Sequence, residues 1–366
     1  MNRGTKTMTD SKTRGVSRRS LLAGTGAVAA GIAFAPKAGW SAEDAQVNFY
    51  NWDTYIGETT LDDFEDASGI SVTMDLFADN DELFAKLKEG NPGYDVIVPT
   101  NDYAERMILA GMLEPLDHSL LPNLQKNVNP AFQDADFDPG RKFTVPYMWG
   151  TLGIGYRKSK VDGVPDSWSY LLDNEAYKGR VALLSEAVSV FGMTAKYLGM
   201  TYNITSEEDI AKVEAQLIKS KPNIRVFAED NGQDLLLSGT VDLAMEWNGD
   251  ILQVMAEDDD LAYVVPKEGS LVWQDTLAIP TGAPHPMNAH KLINYILDAE
   301  VGAKIADFIQ YATANEAARQ KLGPEYKNNP AIFPSQETLD RCEPALYRGE
   351  TVLRMINDAW TRVLAA

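Results

Sequence analysis

The hydrophobic pattern that follows residue 46 predicts strands alternating with helices. Residues 47–52 form an aromatic-rich strand, and residues 70–74 alternate apolar and polar positions with the period of a second strand. Residues 61–67 and 81–88 instead place their apolar side chains on one face of a helix, and residues 96–98 form a short buried strand. This order indicates a mainly parallel sheet that helices cover on both faces.

A second α/β run is predicted beyond residue 156. Its strands are 181–184, 241–247 and 263–266, and its helices are 191–198 and 210–220. The pattern therefore predicts two lobes of similar architecture rather than one continuous layer.

Two extended segments are predicted to cross between these lobes. Residues 143–156 are apolar but contain Gly150, Gly153 and Gly155, which favours extended chain over a helix. Residues 271–280 are predicted to form a return crossing. We therefore expect interleaved lobes, with the chain passing between them more than once.

Residues 1–42 have the pattern of an export signal. Arg18 and Arg19 precede a small, apolar run at 23–35, and a twin arginine before a mildly hydrophobic stretch is typical of Tat signals. The alternative is a membrane anchor, but this run is short and rich in Gly and Ala. Cleavage near residue 35 and cleavage near residue 42 both remain open. The remaining chain is predicted to be periplasmic, without insertion into the membrane.

The charge balance excludes several classes of partner. The chain has 33 Lys and Arg against 53 Asp and Glu, a formal net charge of −20. Nucleic acids and anionic membranes would be repelled, whereas a small cationic ligand suits such a protein. Cys342 is the single cysteine, and there are three histidines, so no His/Cys metal site and no cofactor are expected. His285 and His290 flank a Pro-rich turn and are predicted at the surface.

The sequence does not support catalysis. It contains no nucleophile elbow, no zinc-protease motif, no P-loop and no dinucleotide-binding glycine pattern. We therefore expect a binding protein rather than an enzyme.

Aromatic residues stand beside carboxylates at three predicted strand ends. These clusters lie at 52–55, 247–250 and 273–275, and Tyr311 follows a predicted helix. Aromatic faces attract cations, and carboxylates form charge-assisted hydrogen bonds with an ammonium group. The alternative is that the tryptophans pack in the core and the aspartates cap helices. Because the pairing of aromatic residues with carboxylates recurs at the same topological position, it favours an organic ammonium ligand.

The sequence resembles the bacterial periplasmic polyamine-binding proteins of ABC transporters, which bind putrescine or spermidine. The resemblance extends from residue 47 to residue 360 and rests on seven segments, namely 50–52, 94–99, 145–156, 245–250, 265–269, 275–280 and 311–315.

The resemblance implies a type II periplasmic binding protein, in which a ligand binds between two α/β lobes. Lobe 1 would comprise 46–148 and 276–312, and lobe 2 would comprise 149–275 and 313–366. The implied partners are a polyamine and an ABC permease, and a monomer is expected. The candidate ligand-binding residues are Trp52, Asp53, Tyr55, Thr100, Asp102, Glu186, Ser189, Trp247, Asp250, Trp273, Asp275 and Tyr311.

Several positions depart from the family pattern. Asp53 stands where Ser or Thr is common, Thr54 where an acid is usual, and Asp102 where an aromatic residue or Ser is frequent. Ser189 occupies the position of a usual acid, while Glu186 lies three residues earlier. These departures leave putrescine, spermidine and another small amine, such as an ω-amino acid, as possible ligands.

Two other functions would use the same cleft. An extracytoplasmic enzyme could employ its carboxylates as an acid/base pair, and this would require turnover. A ligand-sensing partner of a membrane receptor would need no permease. Adjacent permease and ATPase genes would favour transport over sensing.

Overall fold

The computed structural model describes residues 43–366, so the predicted export signal at 1–42 lies outside the described residues. The strands follow the predicted order closely. They are β1 (Gln46–Asn51), β2 (Ser71–Leu76), β3 (Val96–Ile97), β4 (Thr144–Arg157), β5 (Val181–Leu184), β6 (Ile224–Ala228), β7 (Leu243–Trp247), β8 (Leu261–Val264), β9 (Leu271–Ala278), β10 (Ala312–Thr313) and β11 (Glu343–Pro344).

Helices fill most of the connections between these strands. They are α1 (Thr60–Ser68), α2 (Asn80–Lys88), α3 (Asn101–Leu109), α4 (Pro122–Asn127), α5 (Ser169–Leu172), α6 (Ala187–Tyr197), α7 (Glu207–Ser220), α8 (Gly232–Leu237), α9 (Asn248–Met255), α10 (Pro286–Ile296), α11 (Ala299–Ile309), α12 (Glu316–Arg319), α13 (Pro324–Lys327), α14 (Gln336–Leu339) and α15 (Glu350–Ala365).

The first α/β run forms a parallel sheet around β1, which pairs with β2 on one side and β3 on the other. Val47 and Phe49 of β1 are fully buried, and Phe64 of α1 covers the sheet. The helix α1 ends at Gly69, whose φ of 70° lies in the left-handed region that glycine enters without steric cost. The predicted parallel arrangement of this run is confirmed.

The second run forms another parallel group, in which β5 pairs with both β6 and β7. Here the helix predicted at 191–198 begins earlier, at Ala187. Every residue from Ala187 to Ala195 is buried, so no amphipathic periodicity marks the start of this helix.

The long strand β4 joins the two groups, as its glycines suggested. Its first half, from Thr144 to Thr151, pairs antiparallel with β9, which in turn pairs with β3 at Ile97. Its second half, from Leu152 onward, pairs antiparallel with β7 and β8. The two extended segments predicted as crossings therefore lie side by side at the middle of the sheet.

The predicted surface position of the histidines is wrong. His285 and His290 are each 6% exposed. The backbone N–H of His285 donates to Oδ1 of fully buried Asp95, and its Nδ1 lies 3.0 Å from Oδ2 of the same carboxylate. The Pro-rich turn folds inward because α10 packs against β1.

Within residues 43–366, no helix combines the length and the apolar character that crossing a bilayer requires.

Candidate functional site

One cleft brings together all the predicted ligand contacts, although their binding role stays a prediction. It is lined by Trp52, Asp53, Tyr55, Thr100, Asp102, Glu186, Ser189, Trp247, Asp250, Trp273, Asp275 and Tyr311. Six further residues also line it, namely Asn80, Val188, Tyr202, Asp230, Leu271 and Ala345.

Strand ends position these side chains. Trp52 follows β1, Thr100 follows β3 as the N-cap of α3, and Trp247 ends β7 as the N-cap of α9. Asp250 lies in the first turn of α9. Because the carboxyl ends of parallel strands face the same crevice, the clusters at 52–55 and 247–250 converge although they are distant in sequence. The predicted strand end at 273–275 is wrong, because Trp273 and Asp275 lie inside β9, which reaches the cleft as it crosses the middle of the sheet antiparallel to β4.

Aromatic rings build the apolar walls of the cleft. The rings of Trp273 and Tyr311 meet edge to face with centroids 5.1 Å apart, and Trp247 contacts Trp273 in the same manner at 6.1 Å. The ring centroids of Tyr55 and Tyr311 are 5.3 Å apart. The Trp52 indole N–H donates to the Val98 carbonyl at 2.9 Å, which fixes its ring plane. Such walls accommodate methylenes and attract a cation by about 0.5–2 kcal/mol per ring.

Two glycines allow these rings to pack so closely. A Cβ at Gly249 would lie 2.4 Å from the Tyr311 ring, and one at Gly150 would lie 2.6 Å from the Trp273 ring. Any larger residue would therefore push a wall into the cleft.

Asp275 lines the cleft and is 6% exposed. The Thr100 hydroxyl donates to its Oδ1 at 2.7 Å, while Asn80 Nδ2 donates to the Thr100 hydroxyl oxygen at 2.9 Å. The Asn80 bond leaves the Thr100 proton free to point at the carboxylate. Burial raises the pKa of Asp275 to about 7, and the Thr100 hydrogen bond partly opposes the shift.

Three carboxylates meet at the end of the cleft beside Trp247. Asp230, Glu246 and Asp250 each place an oxygen within 4.8 Å of the other two. Burial, followed by repulsion from neighbouring carboxylates, raises the pKa values of Asp230 and Glu246 well above the ordinary range. Burial raises the pKa of Asp250 to about 7, and the Tyr311 hydroxyl opposes this shift.

Sequence reasoning missed Asp230 and Glu246. Asp230 follows the end of β6, so its position after a parallel strand was a usable signal. Glu246 lies inside β7 and reads as an ordinary strand residue, so no signal in the sequence pointed to it.

The opposite end of the cleft contains Asp102 and Glu186. The Ser189 hydroxyl donates to the Glu186 carboxylate, and the Tyr202 hydroxyl lies 3.4 Å from the Ser189 oxygen. Burial raises the pKa of Asp102 to about 6 and that of Glu186 to about 8. The Arg348 guanidinium opposes the shift at Asp102.

The lining of the cleft is acidic and becomes anionic as its carboxylates ionise. Six carboxylates line it, and none of its lining residues in the described chain is Lys, Arg or His. Walls of low dielectric constant focus such a field, which favours a cationic ligand and disfavours an anionic one.

The known proteins that this chain resembles include binding proteins for cationic amines. The family model of bacterial extracellular solute-binding proteins matches residues 59–334. The chain is 36% identical to the spermidine/putrescine-binding periplasmic protein of Escherichia coli, covering 89% of this chain and 92% of that protein. It is 32% identical to the putrescine/agmatine-binding protein of Pseudomonas aeruginosa, covering 94% and 96%.

The fold has close counterparts among solved structures. A Listeria monocytogenes structure assigned to a spermidine/putrescine ABC transporter matches with a TM-score of 0.84 and 32% identity, covering 87% of this chain and 99% of that chain. This match confirms the predicted α/β fold of two lobes.

Proposed function

The chain belongs to the bacterial extracellular solute-binding proteins, and from this premise we propose that it captures a polyamine, putrescine or spermidine, and delivers it to an ABC permease. One observation carries the proposal, namely an aromatic cleft with six carboxylates and no basic residue among its described lining. Related proteins that bind spermidine, putrescine and agmatine support the same ligand class.

We further propose that the protein acts in the periplasm as a monomer. The homologous proteins are periplasmic, and the twin arginine Arg18-Arg19 supports export by the Tat route.

Capture is proposed to occur by closure of the two lobes around the amine. With lobe 1 at 46–148 and 276–312, and lobe 2 at 149–275 and 313–366, both lobes contribute residues to the cleft lining. A ligand that contacts both lobes stabilises the closed form, which the permease then recognises.

Asp250 and Asp275 are proposed to hold one ammonium group, and the aromatic rings to enclose the methylene chain. Burying the second ammonium without an anionic partner would be costly. Asp53 from lobe 1, or Asp102 and Glu186 at the opposite end, would supply that partner.

The variants Asp53→Asn, Asp102→Asn and Glu186→Gln identify the partner of the second ammonium. At least one of them is expected to weaken putrescine binding by about 1–3 kcal/mol, because a buried charge loses its partner. Calorimetric titration measures the change. Parent-like affinity in all three variants would contradict the assignment and favour a monoamine or an amino acid.

Trp247→Ala is expected to weaken putrescine binding by at least about 1 kcal/mol while the protein without ligand stays folded, because the ring forms a cleft wall. Paired measurements of affinity and melting temperature check this. A large loss of melting temperature without a specific loss of affinity would assign Trp247 to the core instead.

Delivery to a permease is tested in cells that lack the gene for this protein. Uptake of labelled putrescine should fall and return on expression of the parent chain, but not on expression of an Asp275→Ala variant. Uptake that is unchanged by the deletion, in cells without a second putrescine transporter, would refute the transport role.

A further inference from the structure

Three carboxyl groups lie together at the Trp247 end of the cleft, and their charge when ionised exceeds that of one ammonium group. Within residues 43–366, Asp230, Glu246 and Asp250 form no ion pair with a basic side chain. If all three groups are ionised, they repel one another. A doubly charged ion would offset this repulsion more completely than an amine would.

Glu246 supplies a second and independent sign of a missing ligand. Its side chain is fully buried, and Oε1 accepts a hydrogen bond from the Trp247 backbone N–H at 3.1 Å. Within residues 43–366, no hydrogen bond of good geometry reaches its Oε2. Unsatisfied buried carboxylate oxygens are costly and rare, so this atom is available to a cation.

Gly232 preserves the space around that oxygen. A Cβ at this position would lie 2.1 Å from Glu246 Oε2. A residue with a side chain would therefore displace the carboxylate from the cluster.

We propose that Asp230, Glu246 and Asp250 form a divalent-cation site of the calcium class. Oxygen atoms within 4.8 Å of one another are close enough to share one cation, and Ca²⁺–oxygen distances are about 2.3–2.6 Å. If each carboxylate binds through both oxygens, the three residues supply the minimum of about six ligands that Ca²⁺ requires.

A metal ion can reach Glu246 but the amine cannot, because the Glu246 side chain is fully buried. This residue has no surface that a water-sized group can touch, whereas a dehydrated Ca²⁺ ion is smaller than water. An alkylammonium group in the cleft reaches Asp250 and Asp230, which line it. Because Asp250 would serve both cations, Ca²⁺ and the polyamine should compete.

Equilibrium dialysis of the metal-free, amine-free protein against ⁴⁵Ca²⁺ tests the site. The parent should retain one equivalent, and Glu246→Gln should bind Ca²⁺ at least about tenfold more weakly, because a charged ligand is lost. Glu257→Gln, which removes the same charge from an exposed position, should match the parent. Gly232→Ala supplies a second loss-of-site variant if Glu246→Gln fails to fold.

Two results would overturn the proposal. One is a parent that retains no Ca²⁺ at millimolar concentration. The other is a folded Glu246→Gln variant with the parent's Ca²⁺ affinity. If Ca²⁺ does not bind but Glu246→Gln alters putrescine affinity, the third carboxylate belongs to the amine site and the metal assignment is wrong. Amine binding is measured separately, so failure of the transport proposal is distinguishable from failure of the metal site.

Discussion

Asp275→Ala is expected to weaken putrescine binding by about 2–4 kcal/mol, a loss of about 30-fold to 1,000-fold. Asp275 is buried, and Thr100 holds one of its oxygens in place. Removing the carboxylate would abolish a charge-assisted hydrogen bond and leave a desolvated ammonium without its partner. Titration calorimetry of both proteins at one pH and ionic strength measures the loss.

A matched control separates this effect from the general loss of negative charge. Asp259→Ala removes a carboxylate from an exposed position and should leave putrescine affinity unchanged. An Asp275→Ala variant that binds within threefold of the parent would show that Asp275 is not a ligand residue.

Putrescine affinity is expected to rise about a hundredfold between pH 6 and pH 8. Asp250 and Asp275 have pKa values of about 7 in the ligand-free protein, and the ammonium requires both carboxylates to be ionised. Each group passes from mostly protonated to mostly ionised across this range, which contributes about a factor of ten apiece. Raised pKa values therefore predict weaker binding at lower pH.

The same shifts predict the opposite trend for the protein without ligand. Asp250 and Asp275 have folded-state pKa values above the ordinary 3.8, so their stabilising contribution is present at low pH and is lost as the pH rises through about 7. The increase in melting temperature caused by putrescine should consequently grow from pH 6 to pH 8. A pH-independent affinity across this range would contradict both carboxylate assignments.

The sequence predicted the strand framework and the converging clusters for identifiable physical reasons. The strand predicted at 181–184 matches β5 in full, because four consecutive apolar residues are typical of a strand buried on both faces. Trp52 and Trp247 lie in one cleft, because the strand-end rule for α/β sheets brings such positions together regardless of their separation in sequence. Trp273 joins them from inside β9 and not from a strand end.

The remaining features depend on contacts between distant segments. Glu246 becomes part of a carboxylate cluster only because β6 and β7 both flank β5 and bring Asp230 near it. The burial of His285 depends on Asp95, which lies 190 positions earlier in the chain. Local periodicity contains no information about such pairs, so neither feature was predictable from the pattern.

The cleft is proposed to bind putrescine or spermidine, and calorimetric titration of the purified protein with five amines tests this most directly. Putrescine, cadaverine, spermidine, spermine and γ-aminobutyrate would be compared at pH 8. We predict one-to-one binding of putrescine, with weaker binding of spermine and of γ-aminobutyrate, whose carboxylate meets an anionic cleft. Binding of γ-aminobutyrate tighter than that of putrescine, or no binding of any amine, would contradict the account.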